Sequence, residues 1–96
     1  MTVYVLFLRE SAIRDQASLD TYSRMNRESP PDPNLRPLAV YGAIEALEGT
    51  PPDGVVLLQF PTVEDAKAWY NSPAYQAAIP HRHKGADWRA FIVEGL

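Results

Sequence analysis

Arg82 lies on an apolar helical face near the end of the chain, where an arginine without a partner could bind an anion. Four residues follow the i, i+3, i+4, i+7 spacing of one side of a helix: Tyr75, Ala78, Ile79 and Arg82. This spacing directs the guanidinium towards the apolar side, where a charge needs a partner. The simplest expectation is an ion pair with Asp87 or Glu94. The alternative is an anion-binding arginine at the mouth of a pocket, assisted by His81, because its planar fork suits a carboxylate or phosphate.

The two histidines, His81 and His83, are the next candidates. Residues two apart lie on nearly opposite sides of a helix but on the same side of an extended segment. No carboxylate is placed to complete a recognisable ligand set, so we expect a solvated basic helix end and no metal site. His81 and Glu45 are the weak catalytic candidates. Glu45 or Glu48 could act as a general base if it faces the cleft, because burial raises the pKa of a carboxyl group towards neutrality. Solvation on a strand surface is the simpler expectation for Glu45.

A third set consists of aromatic residues with polar edges, which suit the wall of a pocket for a flat organic molecule: Tyr22, Tyr41, Trp69, Tyr70 and Tyr75. Core packing explains the same residues, above all Tyr70, which lies on the apolar stripe of a helix, whereas Trp69 lies on its flank. No phosphate-binding glycine loop and no Ser-His-acid arrangement is visible. We therefore predict no cofactor.

The elements that must position these residues follow from the apolar patterns. They predict four strands, over residues 3–8, 38–48, 55–60 and 88–93, the second of them kinked at Gly42. Asp15 is a predicted cap of a first helix that ends before Pro30. Thr62 is a predicted cap of a second helix, which restarts at Ser72 and ends at Pro80.

The order β-α-β-β-α-β predicts a single ferredoxin-like α+β domain over residues 1–96, with a four-stranded antiparallel sheet and both helices on one face. Its first and third strands are central, and the runs Val3 to Leu8 and Val55 to Phe60 are apolar on both faces. The face without helices would then expose a large apolar patch. We expect a second copy to cover it, sheet on sheet, in a homodimeric α+β barrel.

Composition excludes several other classes of protein. Hydrophobic residues make up 46% of the chain and charged residues 22%, which argues against disorder, and no apolar run is long enough to cross a membrane. From their pattern we expect that the first residues do not form a secretion signal, and the lack of cysteine favours the reducing cytosol. The net charge of −3 argues against a nucleic-acid partner.

Short motifs then suggest a family. They are Leu47-Glu48-Gly49, Phe60-Pro61, Ala68-Trp69-Tyr70, Ser72-Pro73-Ala74-Tyr75, Pro80-His81-Arg82 and Val93-Glu94-Gly95. In order and spacing, about the last half of the chain resembles the domain of unknown function 1330 family. The resemblance implies a ferredoxin-like dimeric barrel and no established activity. The chain departs from the family pattern by a proline-rich connection from Ser29 to Pro37 and by lacking a paired glycine before the second strand.

The wider barrel superfamily includes cofactor-free monooxygenases, lactone isomerases, haem-degrading enzymes and ligand-sensing domains. The resemblance therefore implies a location, the cleft between sheet and helices, and not a reaction. We expect a small cytosolic homodimer that binds, and as an enzyme would transform, a small apolar or weakly anionic metabolite. In the enzyme, His81 or Glu45 would transfer a proton, Arg82 would hold the anionic group, and Trp69 and Tyr41 would line the site. The alternative is a non-catalytic dimeric module for ligand sensing or assembly, with a filled cleft.

Overall fold

A four-stranded antiparallel sheet with helices on one face forms the protein in the computed structural model, which describes residues 1–96. The elements are β1 (Val3–Arg9), α1 (Gln16–Glu28), β2 (Arg36–Val40), β3 (Gly54–Phe60), α2 (Val63–Tyr70), α3 (Pro73–Gly85) and β4 (Trp88–Glu94). The strand order is β2-β3-β1-β4, and each neighbouring pair is antiparallel. The predicted ferredoxin-like order, with the first and third strands in the centre, is confirmed.

The helices begin where polar side chains accept the first free backbone N–H groups. Each predicted cap accepts a hydrogen bond from the residue three positions later: Asp15 from Ser18, Thr62 from Asp65 and Ser72 from Tyr75. Pro73 occupies the first turn of α3, where a missing N–H costs nothing. The local signals at these three positions therefore set the start of every helix.

Two predicted boundaries were wrong. β2 ends at Val40 and not at Glu48, because Tyr41 adopts a left-handed φ of 54° that turns the chain out of the strand. Glu45 consequently lies in an exposed loop and not on a strand surface. Helix α3 continues through Pro80 to Gly85, since the packing of its apolar face overrides the local cost of an internal proline.

The core lies between the sheet and the helices. Alternate residues of the two central strands pack there against one residue of α2 and one of α3: Val3, Val5, Phe7, Leu58 and Phe60 against Ala66 and Tyr75. The intervening side chains of the strands point to the other face of the sheet. Phe91 and Val93 on that face are 43% and 46% exposed, so apolar surface remains uncovered there.

No helix of the chain has the length and apolar composition needed to cross a membrane.

Candidate functional site

A cleft of about 880 Å³ opens between the helices and the sheet. Its floor comes from the central strands and α3, one wall from α1 and the other from the turn between α2 and α3. The connection between α1 and β2 forms the rim. The side chains of the chain itself do not fill this space, which is within the size range of small-molecule sites.

Arg82 lies on the floor of the cleft and is only 2% exposed. Helix α3 places it on the same buried face as Tyr75 and Ala78, which confirms the inward orientation predicted from the spacing. Its guanidinium carbon lies 4.9 Å from the ring centroid of Phe7 and 5.7 Å from that of Trp88. Aromatic faces therefore surround a buried positive charge.

The predicted ion pair of Arg82 does not form. Asp87 instead pairs with Arg14 at 2.7 Å, and Glu94 makes no ion pair. Both candidate carboxylates are exposed on or beside β4, whereas the guanidinium is buried under the helices. The Nε and Nη1 atoms of Arg82 are buried without a hydrogen-bond acceptor. This is unusual, since buried polar groups nearly always have a partner.

A second unpaired donor lines the same cleft. The indole Nε1 of Trp88, the first residue of β4, is also buried without a hydrogen-bond partner. The three unpaired atoms belong to only two side chains, Arg82 and Trp88, and all three are donors. The floor of the cleft therefore presents hydrogen-bond donors for which the chain supplies no acceptor.

Two tyrosine hydroxyls meet beside this floor. The hydroxyl oxygens of Tyr22 and Tyr75 lie 2.6 Å apart, and either one can donate to the other. Burial, followed by the neighbouring Tyr22, raises the pKa of Tyr75 far above its ordinary value. Burial likewise raises the pKa of Tyr41. Tyr41 and Tyr75 therefore stay protonated near neutral pH, where they can donate hydrogen bonds but cannot act as bases.

The wall of the cleft is aromatic. Trp69 and Tyr75 pack with ring centroids 4.2 Å apart, and Phe7 meets Trp69 edge-on at 6.2 Å. On the opposite side, Tyr41 packs edge-on against Trp88 at 6.1 Å. Trp69 thus both packs in the structure and lines the cleft, so the two interpretations of this residue are compatible.

The rim of the cleft is rich in proline. Five prolines line the cleft, four of them from the Ser29 to Pro37 connection: Pro30, Pro31, Pro33, Pro37 and Pro73. Each has a fixed φ and no backbone N–H, so the rim is stiff and poor in donors. Asp32 is the one carboxylate that lines the cleft, and it accepts a hydrogen bond from the backbone N–H of Asn34.

The structure brings together five of the seven residues predicted for the site. Lining the cleft are Tyr22, Tyr41, Trp69, Tyr75 and Arg82. The catalytic candidates His81 and Glu45 are not among the lining residues. No group of three or more His, Asp or Glu residues is placed to hold a metal ion. Trp88 and the proline rim were not predicted as parts of the site, because the sequence patterns placed Trp88 only at the start of a strand and the prolines only in a connection between elements.

The chemistry of this arrangement favours binding. Arg82 is the one cation among the lining residues and Asp32 the one anion, and most of the remaining surface is apolar or aromatic. The cleft can hold a molecule with an apolar body and an acceptor group directed at the floor.

Comparison with known proteins agrees with this fold. The family model described as "Domain of unknown function (DUF1330)" matches residues 2–96, so the similarity extends beyond the second half of the chain. No curated protein matches the sequence.

Solved structures with the same fold are distant in sequence. An ethyl tert-butyl ether d (EthD) family protein of Bacillus halodurans C-125 is 16% identical, with a TM-score of 0.65 and 100% of both chains covered. A dimeric protein of unknown function with a ferredoxin-like fold from Bacteroides fragilis is also 16% identical, with a TM-score of 0.61 over 98% of this chain and 96% of that one. A dimeric ferredoxin-like protein of unknown function from Thermobifida fusca is 16% identical, with a TM-score of 0.61 over 97% and 90%.

Proposed function

This chain belongs to the DUF1330 family. We propose that it is a homodimeric domain and that its cleft binds a small organic molecule with an apolar body and a weakly anionic group. The observation that carries the proposal is the guanidinium of Arg82, which is buried on the floor of the cleft without a carboxylate or any hydrogen-bond acceptor. A ligand anion would supply the missing partner.

Burial removes the guanidinium of Arg82 from water, and this desolvation is costly. A buried charge without a counter-ion costs several kcal/mol after relaxation, on the order of 3–5 kcal/mol when a partner is removed from a buried pair. The ring of Phe7 offsets part of this cost, since a desolvated cation–π contact contributes about 2 kcal/mol. A charge-assisted hydrogen bond to a ligand would offset more of it.

The aromatic walls and the proline-rich rim of the cleft indicate that most of the ligand is apolar. Trp69 and Tyr75 present tilted rings 4.2 Å apart, and the proline-rich rim is poor in backbone donors. Aromatic and proline surfaces favour a flat, apolar molecule, and they would gain hydrophobic free energy of about 25 cal/mol per Å² removed from water. A strongly polar ligand such as a sugar would leave many hydrogen-bonding groups unpaired.

An experiment with Arg82→Met tests the binding proposal. Thermal unfolding of the wild-type protein is measured with a set of organic acids and with the neutral amide of each acid. We expect the acids, and not the amides, to raise the melting temperature, and we expect Arg82→Met to abolish this effect. Arg24→Met is the matched control, because Arg24 is exposed on α1, outside the cleft. Equal stabilisation of the wild type and Arg82→Met would contradict the proposal.

The homodimer rests on the second face of the sheet. Apolar side chains alternate with the core residues on this face: Leu6, Leu8, Val55, Leu57, Phe91 and Val93. A patch of this kind is larger than soluble monomers usually expose, and a second copy related by a twofold axis would cover it. The description of two relatives with this fold as dimeric supports the proposal.

Leu57→Arg tests the dimer. The substitution places a charge in the centre of the proposed interface, so we expect sedimentation velocity to show a monomer where the wild type shows a dimer. Ala77→Arg adds the same charge to the exposed side of α3 and should remain dimeric. A wild-type monomer at micromolar concentration would refute this part of the proposal and leave the binding part standing.

The enzymatic and the assembly versions have less support. His81 and Glu45 lie outside the cleft, so the proton transfer that we expected from them has no geometric basis in this arrangement. A filled cleft was the signature of the assembly module, and this cleft is open. The function we propose is therefore the binding of a ligand and not its conversion. The lack of cysteine favours the reducing cytosol as the place where this occurs.

A further inference from the structure

Trp88 carries an unexplained feature of the cleft floor. Its indole Nε1 is buried and donates to nothing, although a buried tryptophan N–H usually finds an acceptor. Leaving such a donor unpaired is costly, since the group loses its water and gains no partner. No acceptor of the chain itself meets it.

The unpaired indole lies next to the unpaired guanidinium. The guanidinium carbon of Arg82 is 5.7 Å from the ring centroid of Trp88. The two oxygens of one carboxylate can each accept a hydrogen bond from a different donor, so one ligand group can serve two neighbouring side chains. Nη2 of Arg82 also makes no hydrogen bond, and it is not among the fully buried unpaired atoms.

The charge balance of the cleft selects the type of anion. Arg82 is the one cation among the lining residues, and Asp32 at the rim is the one anion. A singly charged group neutralises Arg82 fully. A phosphate dianion would bring a second negative charge into an apolar site that has no second cation among its lining residues.

Tyr41 packs against the indole ring of Trp88. Its ring packs edge-on against Trp88, it is half exposed, and its backbone adopts the left-handed φ of 54° that a tyrosine rarely occupies. The buried donors are accessible to a ligand only if a neighbouring side chain moves, and Tyr41 is the half-exposed side chain that packs on Trp88.

We infer that Arg82 and Trp88 together form a recognition site for the carboxylate of a flat, apolar organic acid, with one oxygen bound by the guanidinium and the other by the indole N–H. This inference rests on the proposed function and adds to it the class of ligand and a second recognition residue. Trp88 is the residue that sets specificity, because it orients the carboxylate, while Tyr41 moves aside to admit it.

The two tryptophans make a direct test possible. The chain contains only Trp69 and Trp88, so a ¹⁵N-correlated NMR spectrum shows two indole N–H signals, and Trp88→Phe assigns them. The probes are 2-naphthoate, its neutral counterpart 2-naphthamide, and inorganic phosphate. We expect saturable binding of 2-naphthoate to shift the Trp88 indole proton downfield, as a new hydrogen bond would. We expect at least tenfold weaker binding of 2-naphthamide and no shift with phosphate.

Trp88→Phe separates a binding role of Trp88 from a purely structural one, because it is tested for both stability and affinity. The substitution keeps an aromatic ring and removes the unpaired N–H, so the free protein should be as stable as the wild type or more stable. The affinity for 2-naphthoate should nevertheless fall about fivefold to tenfold. Trp69→Phe, which alters the wall and not the donors, should leave the Trp88 signal responsive to 2-naphthoate.

The outcomes separate this inference from the proposed function. Tight binding of 2-naphthoate that depends on Arg82 but leaves the Trp88 signal and the Trp88→Phe affinity unchanged overturns the inference alone. Equal binding of phosphate overturns the choice of a carboxylate. If neither naphthalene probe binds the folded wild-type protein, the anion-binding cleft and the inference fail together.

Discussion

The hydroxyl oxygens of Tyr22 and Tyr75 lie 2.6 Å apart and join α1 to α3 inside the cleft. Their rings meet edge-on, with centroids 6.1 Å apart. In a pair of hydroxyls one donates and the other accepts, so one proton of the pair remains free to donate elsewhere. The pair thus links the two helices that flank the cleft and leaves a donor beside its floor.

Tyr75→Phe should lower stability at neutral pH and remove a sensitivity to alkali. The lost hydrogen bond costs about 1 kcal/mol of unfolding free energy. Because folding raises the pKa of Tyr75 above its ordinary value of 10.0, mainly through burial, the unfolded chain releases this proton first as pH rises. The stability that Tyr75 contributes is therefore complete below pH 10.0 and is lost above it.

Urea unfolding at pH 7 and between pH 10 and 11 measures this effect. We expect the stability difference between the wild type and Tyr75→Phe to shrink above pH 10.0, by up to about 1.4 kcal/mol per pH unit. Tyr4→Phe, on the other face of the sheet, serves as the control for a general effect of alkali. A difference that stays constant with pH would contradict the raised pKa of Tyr75.

Asp15→Ala should destabilise α1 in a pH-dependent way. The Asp15 carboxylate accepts hydrogen bonds from the hydroxyl of Ser18 at 2.8 Å and from its backbone N–H at 3.2 Å. These bonds, the side-chain one above all, lower the pKa of Asp15 below 3.8 in the folded protein. The stability they provide is therefore present above pH 3.8 and is lost as pH falls through the lowered pKa.

Thermal unfolding of Asp15→Ala and Asp15→Asn separates the cap from the charge. We expect Asp15→Ala to melt at a lower temperature than the wild type at pH 7, with the gap closing below pH 3.8. Asparagine caps helices about as well as aspartate, so Asp15→Asn should retain most of the stability without this dependence on acid. A gap that persists at pH 2 would show that the charge is not involved.

Gly85→Ala should destabilise the protein although alanine favours helices. A Cβ atom at Gly85 would overlap the side chain of Leu19 and approach the backbone oxygen of Asp15 to 3.2 Å. The gain in helix propensity is about 1 kcal/mol, whereas overpacking costs typically 1–3 kcal/mol. Gly42→Ala is the matched control, because nothing lies within 4 Å of its Cβ position. Urea unfolding should show a loss for Gly85→Ala only, and equal stability of the two variants would show that α1 can shift.

The fold was predictable because several independent sequence signals agree. The order of elements places the strands Val3–Arg9 and Gly54–Phe60 in the centre of the sheet, and their runs of apolar residues on both faces agree with that position. The caps at Asp15 and Thr62 are local and depend only on neighbouring residues. The end of β2 was not predictable, since it depends on the left-handed backbone at Tyr41, which no propensity favours.

The candidate site was predictable only in part. Helical spacing is enough to point Arg82 inward, but whether it meets a carboxylate depends on three-dimensional packing, and Asp87 is bound by Arg14 instead. Nothing in the sequence marks Trp88 as a site residue, because a tryptophan at the start of a strand is ordinary. Only the structure shows that its N–H is unpaired. Spacing therefore identifies the direction of a side chain but not its missing partner.

Pro80→Ala should stabilise the protein and keep Arg82 in place. Pro80 lies inside α3, where proline removes a hydrogen bond to the preceding turn and costs up to about 3 kcal/mol. The buried face of α3 nevertheless keeps helical spacing across this position, since both Tyr75 and Arg82 are buried on it. Alanine would restore the missing bond without changing that face. Urea unfolding should therefore show a gain of about 1–3 kcal/mol for Pro80→Ala and no change for Pro51→Ala, which lies in the exposed loop. A loss of stability in Pro80→Ala would show instead that the proline adjusts the helix so that Arg82 can pack on Phe7.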